Sequence, residues 1–489
     1  MESRPLRRIA ARAVGRSLAR VSAVDDLFSF LTASPSPYHA VHEASRRLQA
    51  AGFVPLDLAA EWPREPGRYL VARGGALVAW SVAGWSSGDA SAPFRIVGAH
   101  TDSPNLRLKP RPDTGGFGWK QLAVEVYGGA LWNSWLDRDL GLSGRVVVDG
   151  HATEPLLVRV DRPLLRVPQL AIHLDRDVNG QGLKLNPQQH LTPVWGTGPV
   201  REGEFREFLA EVIADQHGDE VAPADIVSWD LMVHDLTPPA LLGRNQELIA
   251  SARLDNLLSC WAGIAGLLDR VDGSAHDHVE TGEASRDNAV VPIAVVCLYD
   301  HEEVGSTSAT GADGSLLAQV LERSVLARGG TREHYLRAIA NSLCVSADMA
   351  HATHPNHPER HEPGHHVAVN GGPVVKVNAN QRYASEAGTV AALIAACDRA
   401  GSPHQFFVGR NDQPCGSTIG PLTAARLGIA TVDVGIAQLS MHSARELCGA
   451  EDPERLVDVL SAFLDLAPPS PPIADGWIND APDDPAERA

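Results

Sequence analysis

The sequence predicts an α/β protein in which a sheet flanked by helices is interrupted by a β-rich insertion. At 489 residues the chain exceeds the size at which a single hydrophobic core stops growing, so we expect two domains or one large domain carrying an insertion. Helical and strand-like segments alternate in the first and last thirds. The middle instead contains short β-prone runs separated by Gly, Pro and Asp.

The first part of the α/β unit is expected over residues 25–108. Apolar residues at helical spacing lie on both sides of a Ser-Pro break in SPSPYHAV and predict two short helices. The runs LVAWSVA (77–83) and FRIVGAH (94–100) predict strands, and the second leads directly into His100 and Asp102. The end of a buried strand is a suitable position for functional side chains.

The inserted β-rich domain is expected over residues 109–243, which contain the runs QLAVEVYG, GRVVVDG and LLVRVD. The second part of the α/β unit follows over residues 244–466. Its predicted elements are a helix at 252–271, a strand at 291–300, helices near 314–328 and 385–400, and a strand at 429–436. The polar, turn-rich segment 272–289 predicts a surface loop.

Both termini differ in composition from the rest of the chain. Residues 1–24 carry six arginines and one acid and predict an unstructured basic extension, although this composition also resembles an organelle transit peptide. Residues 467–489 combine prolines with acids and predict a disordered tail. The six cysteines are scattered without a CxxC pair, which indicates reduced thiols and a cytoplasmic protein.

Charge and hydropathy exclude two classes of partner. The formal net charge of -18 argues against a nucleic-acid-binding surface, which needs clustered Lys and Arg. No apolar run approaches the roughly 18 residues of a membrane span, so we expect no membrane insertion. The same negative charge means that an acidic substrate would need a local cation.

Five short, separated motifs place polar side chains at the ends of predicted elements. His100 and Asp102 end one strand, and the adjacent acids Glu302 and Glu303 follow the strand VPIAVVCLYD. Two adjacent carboxylates are costly unless a cation or solvent relieves them. Alone, however, HxD also fits a satisfied polar pair, and the acid pair also fits a solvated turn.

The other three motifs contribute Asp255 at the head of a helix, Asp348 after an apolar run and His442 in LSMHSARE. Each residue taken singly also fits a cap or a turn. Together with His100 and Glu303 they provide two imidazoles and three carboxylates, the mixed nitrogen and oxygen ligands that zinc accepts. The combination therefore predicts a metal site.

These motifs resemble those of the aspartyl aminopeptidases, the M18-type dinuclear zinc aminopeptidases, from about residue 25 to 465. The strings that carry the resemblance, in the family's order, are SPSPYHAV, VGAHTDSPNLRLKP, LAIHLDRDVN, SARLDN, YDHEEVGSTSATGA, SADMAHATHPNHPERHE, GGPVVKVNANQRYAS, RNDQPCGSTIGP and LSMHSARE. The resemblance implies a three-layer α/β/α zinc-peptidase domain with an inserted β-rich dimerisation domain.

The resemblance also implies two Zn²⁺ per subunit, or Co²⁺ or Mn²⁺ in their place. The implied ligands of one ion are His100, Asp255 and Asp348, and those of the other are Asp255, Glu303 and His442. Glu302 would act as the general base, and Asp102 would orient His100.

The substrates implied by the resemblance are peptides with an N-terminal Asp or Glu. Lys376 would receive the acidic side chain, and the Tyr383 phenol would support the developing oxyanion. His173, in LAIHLDRDVN of the insert, would reach the active site of a neighbouring subunit within a homo-oligomer, a tetrahedral dodecamer in this family.

Two other functions stay open: a related dinuclear zinc aminopeptidase or deacylase of different specificity, and a non-catalytic assembly protein. The loop at residues 351–366 contains six histidines. Its prolines and the family pattern predict that these histidines line or cover the site rather than bind metal.

Overall fold

The computed structural model describes residues 23–82, 90–149, 155–280 and 291–467. Most of the predicted basic extension (1–24), most of the predicted tail (467–489) and the second half of the predicted loop 272–289 lie outside these ranges. The described chain is already helical at residue 23, two residues before the predicted start of folded sequence. Within the described ranges, no helix combines the length and the apolar content that crossing a membrane requires.

The described strands form three sheets. Numbered in chain order, they are β1 (Val54–Pro55), β2 (Arg68–Arg73), β3 (Ala76–Ser81), β4 (Phe94–His100), β5 (Asn105–Gly116), β6 (Trp119–Tyr127), β7 (Leu140–Val148), β8 (Leu156–Leu165), β9 (Val194–Thr197), β10 (Ile226–Asp235), β11 (Ala240–Leu242), β12 (Leu248–Ser251), β13 (Ile293–Tyr299), β14 (Leu343–Ala347), β15 (Ala350–His351), β16 (Val374–Val377), β17 (Gln405–Val408), β18 (Ala430–Gly435), β19 (Ala437–Leu439) and β20 (Glu446–Gly449).

The described α-helices are α1 (23–33), α2 (Pro37–Ala50), α3 (Val178–Gln181), α4 (Pro187–His190), α5 (Glu204–His217), α6 (Leu254–Glu280), α7 (Leu316–Ala327), α8 (Arg332–Ala340), α9 (Ala387–Ala400), α10 (Ile419–Leu427) and α11 (Asp452–Leu464). The Ser-Pro break predicted between the first two helices is confirmed, since Ser36 caps the N-terminus of α2 and Pro37 occupies its first turn.

A nine-stranded sheet with the order β1-β2-β3-β13-β4-β14-β18-β16-β17 forms the centre of the larger unit. Strands β13, β4, β14 and β18 run parallel. Every residue of β4 is buried because alternate side chains enter two different cores, with Phe94 and Ile96 on one face and Val97 and Ala99 on the other. Helices α1, α2, α6, α9 and α11 cover one face, and α7, α8 and α10 cover the other. This is the predicted three-layer α/β/α arrangement.

A six-stranded antiparallel sheet, β8-β7-β10-β5-β6-β9, occupies the middle of the sequence. It has a core of its own, to which α5 contributes Phe205, Leu209 and Ile213. The β-rich character of this region was predicted, whereas α5 was not. The strands belong to the range 105–235, so the first of them begins before the predicted boundary at residue 109.

A third sheet, β11-β12-β20-β19-β15, consists of strands of two to four residues and was not predicted. Helix α6 also differs from the prediction, because it continues to Glu280, into the segment 272–289 that was expected to be a loop. At its start, Asp255 and Asn256 have non-helical backbone angles, so the chain bends at this point.

Candidate active site

Three parallel strands end at one edge of the nine-stranded sheet and bring three of the five motifs together. Residue Tyr299 of β13 pairs with His100 of β4, and β14 lies on the other side of β4. The carboxyl ends of parallel strands lie at the same edge, so His100, the Glu302–Glu303 pair and Asp348 meet there. Burial of the apolar strands on both faces therefore places these polar side chains at the sheet edge.

The remaining two motifs approach the same edge from outside the sheet. Asp255 lies at the bend where α6 begins, and the residue is 3% exposed to solvent. His442 follows β19 and adopts a left-handed backbone conformation with φ 69°. Both backbone N–H groups donate to the buried carboxylate of Glu446, at 3.0 Å from Asp255 and 2.9 Å from His442. Glu446 thereby holds the two segments in register.

The five predicted ligand side chains form two groups that share Asp255. In the first, Nε2 of His100 lies 3.5 Å from Oδ1 of Asp255 and 3.5 Å from Oδ1 of Asp348. In the second, Nε2 of His442 lies 3.4 Å from Oδ2 of Asp255 and 3.3 Å from Oε2 of Glu303. The two carboxylate oxygens of Asp255 therefore face one group each.

These separations fit zinc better than they fit hydrogen bonds. Two ligand atoms that each lie about 2.1 Å from a tetrahedral zinc ion are about 3.4 Å apart, which is the spacing of both groups. Oδ1 of Asp255 and Oε1 of Glu303 are buried and have no hydrogen-bond partner in the described chain. Buried carboxylate oxygens without partners are expensive unless a cation compensates them. The donor set thus suits one cation in each group.

Burial, and after it the repulsion between carboxylates, raises the pKa values of three acids at the site. Burial, followed by the charges of neighbouring carboxylates such as Asp348, raises the pKa of Glu302 to about 8. Burial and the charge of Asp255 raise the pKa of Glu303 well above its ordinary value. The pKa of Glu446 is raised to about 8 for the same two reasons. Each shift has the sign that a bound divalent cation would oppose.

Glu302 and Glu303 point to different surroundings, as expected for neighbours at a strand end. The Glu303 side chain is 3% exposed and faces His442, whereas the Glu302 side chain is 16% exposed. Oε2 of Glu302 lies 3.9 Å from Nε2 of His100, farther than the carboxylates of Asp255 and Asp348. Glu302 also falls into a third, overlapping group with His100 and Glu303.

Asp102 contacts more of the site than the sequence indicated. Nδ1 of His100 lies 3.0 Å from the Asp102 carbonyl oxygen and 3.4 Å from its carboxylate. The carboxylate accepts hydrogen bonds from the backbone N–H groups of Glu302 and Glu303, both at 3.1 Å, and from the Tyr127 hydroxyl at 2.7 Å. Asp102 therefore supports the backbone of the acid pair as well as the imidazole.

Lys376 and Tyr383 lie beside the first group. Lys376 is 2% exposed, and its Nζ lies 3.4 Å from Oδ2 of Asp348 and donates to the Met349 carbonyl at 3.2 Å. The ammonium is 5.1 Å from the centre of the Tyr383 ring, which is also buried. Lys376 is thus a buried cation that partly balances the negative charge of the site.

Nine of the ten predicted site residues are brought together, and His173 is not. It lies in an exposed segment of the β-rich region, and no hydrogen bond or ion pair in the described part of the chain joins it to the others. The histidines of the loop 351–366 do not enter any of the potential ligand groups among the described residues. Several of them contact one another or a neighbouring acid, as in the bond from the His354 N–H to His361 and the pair formed by His365 with Glu362, whereas the His351 ring packs against Phe407.

Two residues that the sequence reasoning missed are Tyr127 and Glu446. Tyr127 ends the β-prone run QLAVEVYG, where an aromatic residue is unremarkable in a strand. Glu446 is part of the string LSMHSARE, four residues after His442, and the only signal was this proximity. Tyr127 acts on the site through its bond to Asp102, which is distant in the sequence, and Glu446 acts through the backbone N–H groups of Asp255 and His442.

Known proteins are similar to this chain over a range that includes every candidate site residue. The sequence model of a family described as aminopeptidase I zinc metalloprotease (M18) matches residues 30–464. The chain is 55% identical over 441 residues to “Probable M18 family aminopeptidase 2” of Streptomyces coelicolor, a match that covers 90% of this chain and 97% of that protein.

Two solved structures are similar over nearly the full described fold. One, described as “Cryo-EM structure of the Ape4 and Nbr1 complex”, has a TM-score of 0.84 at 37% identity and covers 91% of this chain and 86% of that one. The other, described as “Structure of S. cerevesiae mApe1 dodecamer”, has a TM-score of 0.75 at 27% identity and covers 91% and 96%.

Proposed function

Since the chain belongs to the M18 family of zinc metallo-aminopeptidases, we propose that it removes N-terminal Asp and Glu residues from peptides with a site that holds two zinc ions. The match to the M18 family model confirms the predicted family resemblance, and the similar solved structure confirms the predicted α/β zinc-peptidase fold. The observation that carries the two-ion proposal is the shared carboxylate of Asp255, whose two oxygens face separate sets of ligands. The implied sets are His100, Asp255 and Asp348, and Asp255, Glu303 and His442.

Two zinc ions, when bound, polarise the scissile carbonyl and lower the pKa of the attacking water. Glu302 accepts a proton from that water and returns it to the leaving amine. Its greater exposure and its longer distance from His100 support this role over that of a ligand. Asp102 accepts the backbone N–H of Glu302 and so keeps the base at the edge of the site. The Tyr383 hydroxyl donates a hydrogen bond to the developing oxyanion.

Replacing Glu302 tests the assignment of the base. Glu302→Gln keeps the shape of the side chain but removes the proton acceptor, so turnover should fall by about 10²- to 10⁴-fold while the zinc content stays at two per subunit. Glu303→Gln is the matched control, because it should lose zinc as well as activity. Wild-type turnover in the zinc-loaded Glu302→Gln protein would refute the assignment.

Selectivity for acidic residues is assigned to Lys376. Its ammonium has three donors; the Met349 carbonyl accepts one, the Asp348 carboxylate lies 3.4 Å away, and no third acceptor contacts it among the described residues, so one donor can meet a substrate carboxylate. A chain with a formal net charge of -18 needs such a cation at the site. Lys376→Met should lower kcat/KM for Asp-peptides far more than for Leu-peptides.

The zinc content of this variant must be measured, because Lys376 also contacts a proposed ligand. If the Lys376→Met protein holds two zinc ions and still prefers Asp- over Leu-peptides, the selectivity assignment is wrong.

The buried pairing of Lys376 with Asp348 also supports a second candidate function, an M18 aminopeptidase of different specificity. In that case the lysine is needed to balance Asp348, and the substrate side chain meets other groups. Hydrolysis of Asp-, Glu-, Leu- and N-acylated amides, with and without chelator, separates the candidates. A preference for Leu-amides would favour the second function, cleavage of acylated amides a deacylase, and no chelator-sensitive cleavage a non-catalytic protein.

We further propose a homo-oligomer in which the six-stranded sheet mediates assembly as a separate domain. Leu170, Ile172 and Leu174 flank His173 and are 56%, 47% and 75% exposed, which is unusual for apolar side chains and fits a subunit contact. A similar protein has been solved as a dodecamer. All six cysteines are free thiols, which supports a cytoplasmic location.

Mixing two inactive variants tests the proposed role of His173 in a neighbouring active site. His173→Ala subunits keep Glu302, and Glu302→Gln subunits keep His173, so co-assembly should restore part of the activity that each variant lacks alone. Mixtures that remain as inactive as the separate variants would exclude a shared site.

A further inference from the structure

The segment 128–134 leaves the six-stranded sheet after β6 and crosses directly against the second ligand group. We call it the strap. His442 Nδ1 lies 3.1 Å from the Gly129 carbonyl oxygen, and the Leu131 N–H donates to the His442 carbonyl at 3.0 Å. At the end of the strap, the Ala444 N–H donates to Oγ of Ser134 at 2.9 Å. The strap therefore holds His442 by its ring, its backbone and the chain that follows it.

The contact with Gly129 determines which nitrogen of His442 is free. The carbonyl oxygen can only accept, so in the neutral imidazole that binds a metal Nδ1 carries the proton and Nε2 keeps its lone pair. Nε2 is the atom that faces Asp255 and Glu303. The bond from Leu131 acts on the His442 backbone, whose φ of 69° is unusual for a residue other than glycine.

Two consecutive glycines allow the strap to approach this closely. A Cβ at Gly128, where φ is +71°, would lie 3.0 Å from Cβ of Glu303, and a Cβ at Gly129 would lie 3.3 Å from Nδ1 of His442. Side chains at either position would therefore push on a member of the second ligand group. The glycines let backbone from the six-stranded sheet pack against that group.

The first group depends less directly on the six-stranded sheet. His100 and Asp348 follow strands of the nine-stranded sheet, and the His100 side chain is 1% exposed, against 30% for His442. Among the described contacts, the six-stranded sheet reaches this group through the bond between Tyr127 and Asp102 and through Asn105, whose amide donates to the Ser103 carbonyl while Ser103 donates to that of Asp255. The two positions thus differ in how they are supported.

We propose that the strap is a positioning element for one of the two metal ions. It ties the affinity of the position formed by Glu303 and His442 directly to the strap, while the position formed by His100 and Asp348 makes no hydrogen bond to the strap among the described residues. The inference rests on the proposed two-zinc site. It predicts stepwise zinc binding, in which a disturbed strap weakens the second step alone.

Gly129→Ala is the test variant, and Gly116→Ala is its control. Gly116 lies in the same sheet, and a Cβ there would meet nothing within 4 Å. Zinc affinities of both steps are measured by competition with a chelating dye, and kcat and KM are measured across a zinc titration. Gly129→Ala should weaken the second step about 10- to 100-fold, as substitutions of groups that orient metal ligands do, and leave the first step unchanged. Added zinc should restore its kcat.

A second variant removes a hydrogen bond rather than adding a side chain. Leu131→Pro lacks the N–H that donates to His442, and the φ of -76° at this residue suits proline. It should show the same selective loss, and it decides the question if Gly129→Ala fails to fold. Wild-type affinity for both ions in the folded variants, or equal weakening of both steps, would overturn the role of the strap. Fewer than two zinc ions in the wild-type protein would instead refute the proposed function.

Discussion

Tyr127→Phe is expected to lower kcat/KM and to speed the loss of zinc, each by about tenfold, without disturbing the fold. The hydroxyl donates a 2.7 Å hydrogen bond to the fully buried carboxylate of Asp102, and bonds of this kind contribute about 1.5–3 kcal/mol. Asp102 retains two backbone N–H donors, from Glu302 and Glu303, so we expect the lower end of this range. A loss of about 1.4 kcal/mol corresponds to a tenfold change in affinity or rate.

The packing around the ring should survive the substitution. The Arg107 guanidinium lies 3.7 Å from the centre of the Tyr127 ring, and a phenylalanine offers it the same face. The assay compares kcat/KM on an Asp-peptide and the rate of zinc loss to a chelator between wild type and variant. Tyr127→Phe should lower the first and raise the second by about tenfold.

Tyr69→Phe is the matched control, since it removes a hydroxyl that donates to the Glu65 carbonyl at 2.9 Å, away from the site. If Tyr127→Phe and Tyr69→Phe behave alike in both assays, Asp102 does not depend on the tyrosine and the reasoning fails.

Three further outcomes can be measured. Glu446→Gln keeps the shape but weakens the hydrogen bonds from the N–H groups of Asp255 and His442, so zinc affinity should fall about 10- to 100-fold in a dye competition; unchanged affinity would contradict the role of Glu446. Burial lowers the pKa of His39 to about 3, so as pH falls below about 6.5 the unfolded chain takes up a proton before the folded chain does, and the free energy of unfolding should drop by about 2 kcal/mol at pH 5. In urea unfolding of the metal-free protein, His39→Gln should therefore make the free energy of unfolding less dependent on pH. An unchanged pH dependence would refute this role of His39. Chelation should lower Tm, because each ion present at 100 times its Kd contributes about 2.7 kcal/mol to the folded state; a Tm unaffected by chelator would exclude a stabilising metal.

The main strands and helices of the larger unit were predictable because their signals are local. The run FRIVGAH predicted β4 at residues 94–100, and the structure has the strand at Phe94–His100. The strand predicted at 291–300 is Ile293–Tyr299, and the helix predicted near 385–400 is Ala387–Ala400. In each segment, hydrophobic periodicity and flanking turn residues lie within a single window of sequence.

The short strands were not predictable in the same way. Those of the five-stranded sheet have two to four residues, too few for an alternating pattern to be recognised. Their pairing joins segments as distant as Ser251 and Glu446, so no single window of sequence contains both partners. The extension of α6 to Glu280 was also missed, because polar and glycine residues in DGSAHDHVE favoured a loop.

By itself, the sequence determined which side chains follow buried strands, and hence which residues meet at the edge of a parallel sheet: His100, Glu302, Glu303 and Asp348. Only the tertiary structure decided how the backbones of Asp255 and His442 are held together and which segment supports the His442 imidazole. Glu446, Tyr127 and the strap act through backbone groups and through contacts between the six-stranded and nine-stranded sheets. Such contacts depend on how sheets dock in three dimensions, and this leaves no periodic pattern in the chain.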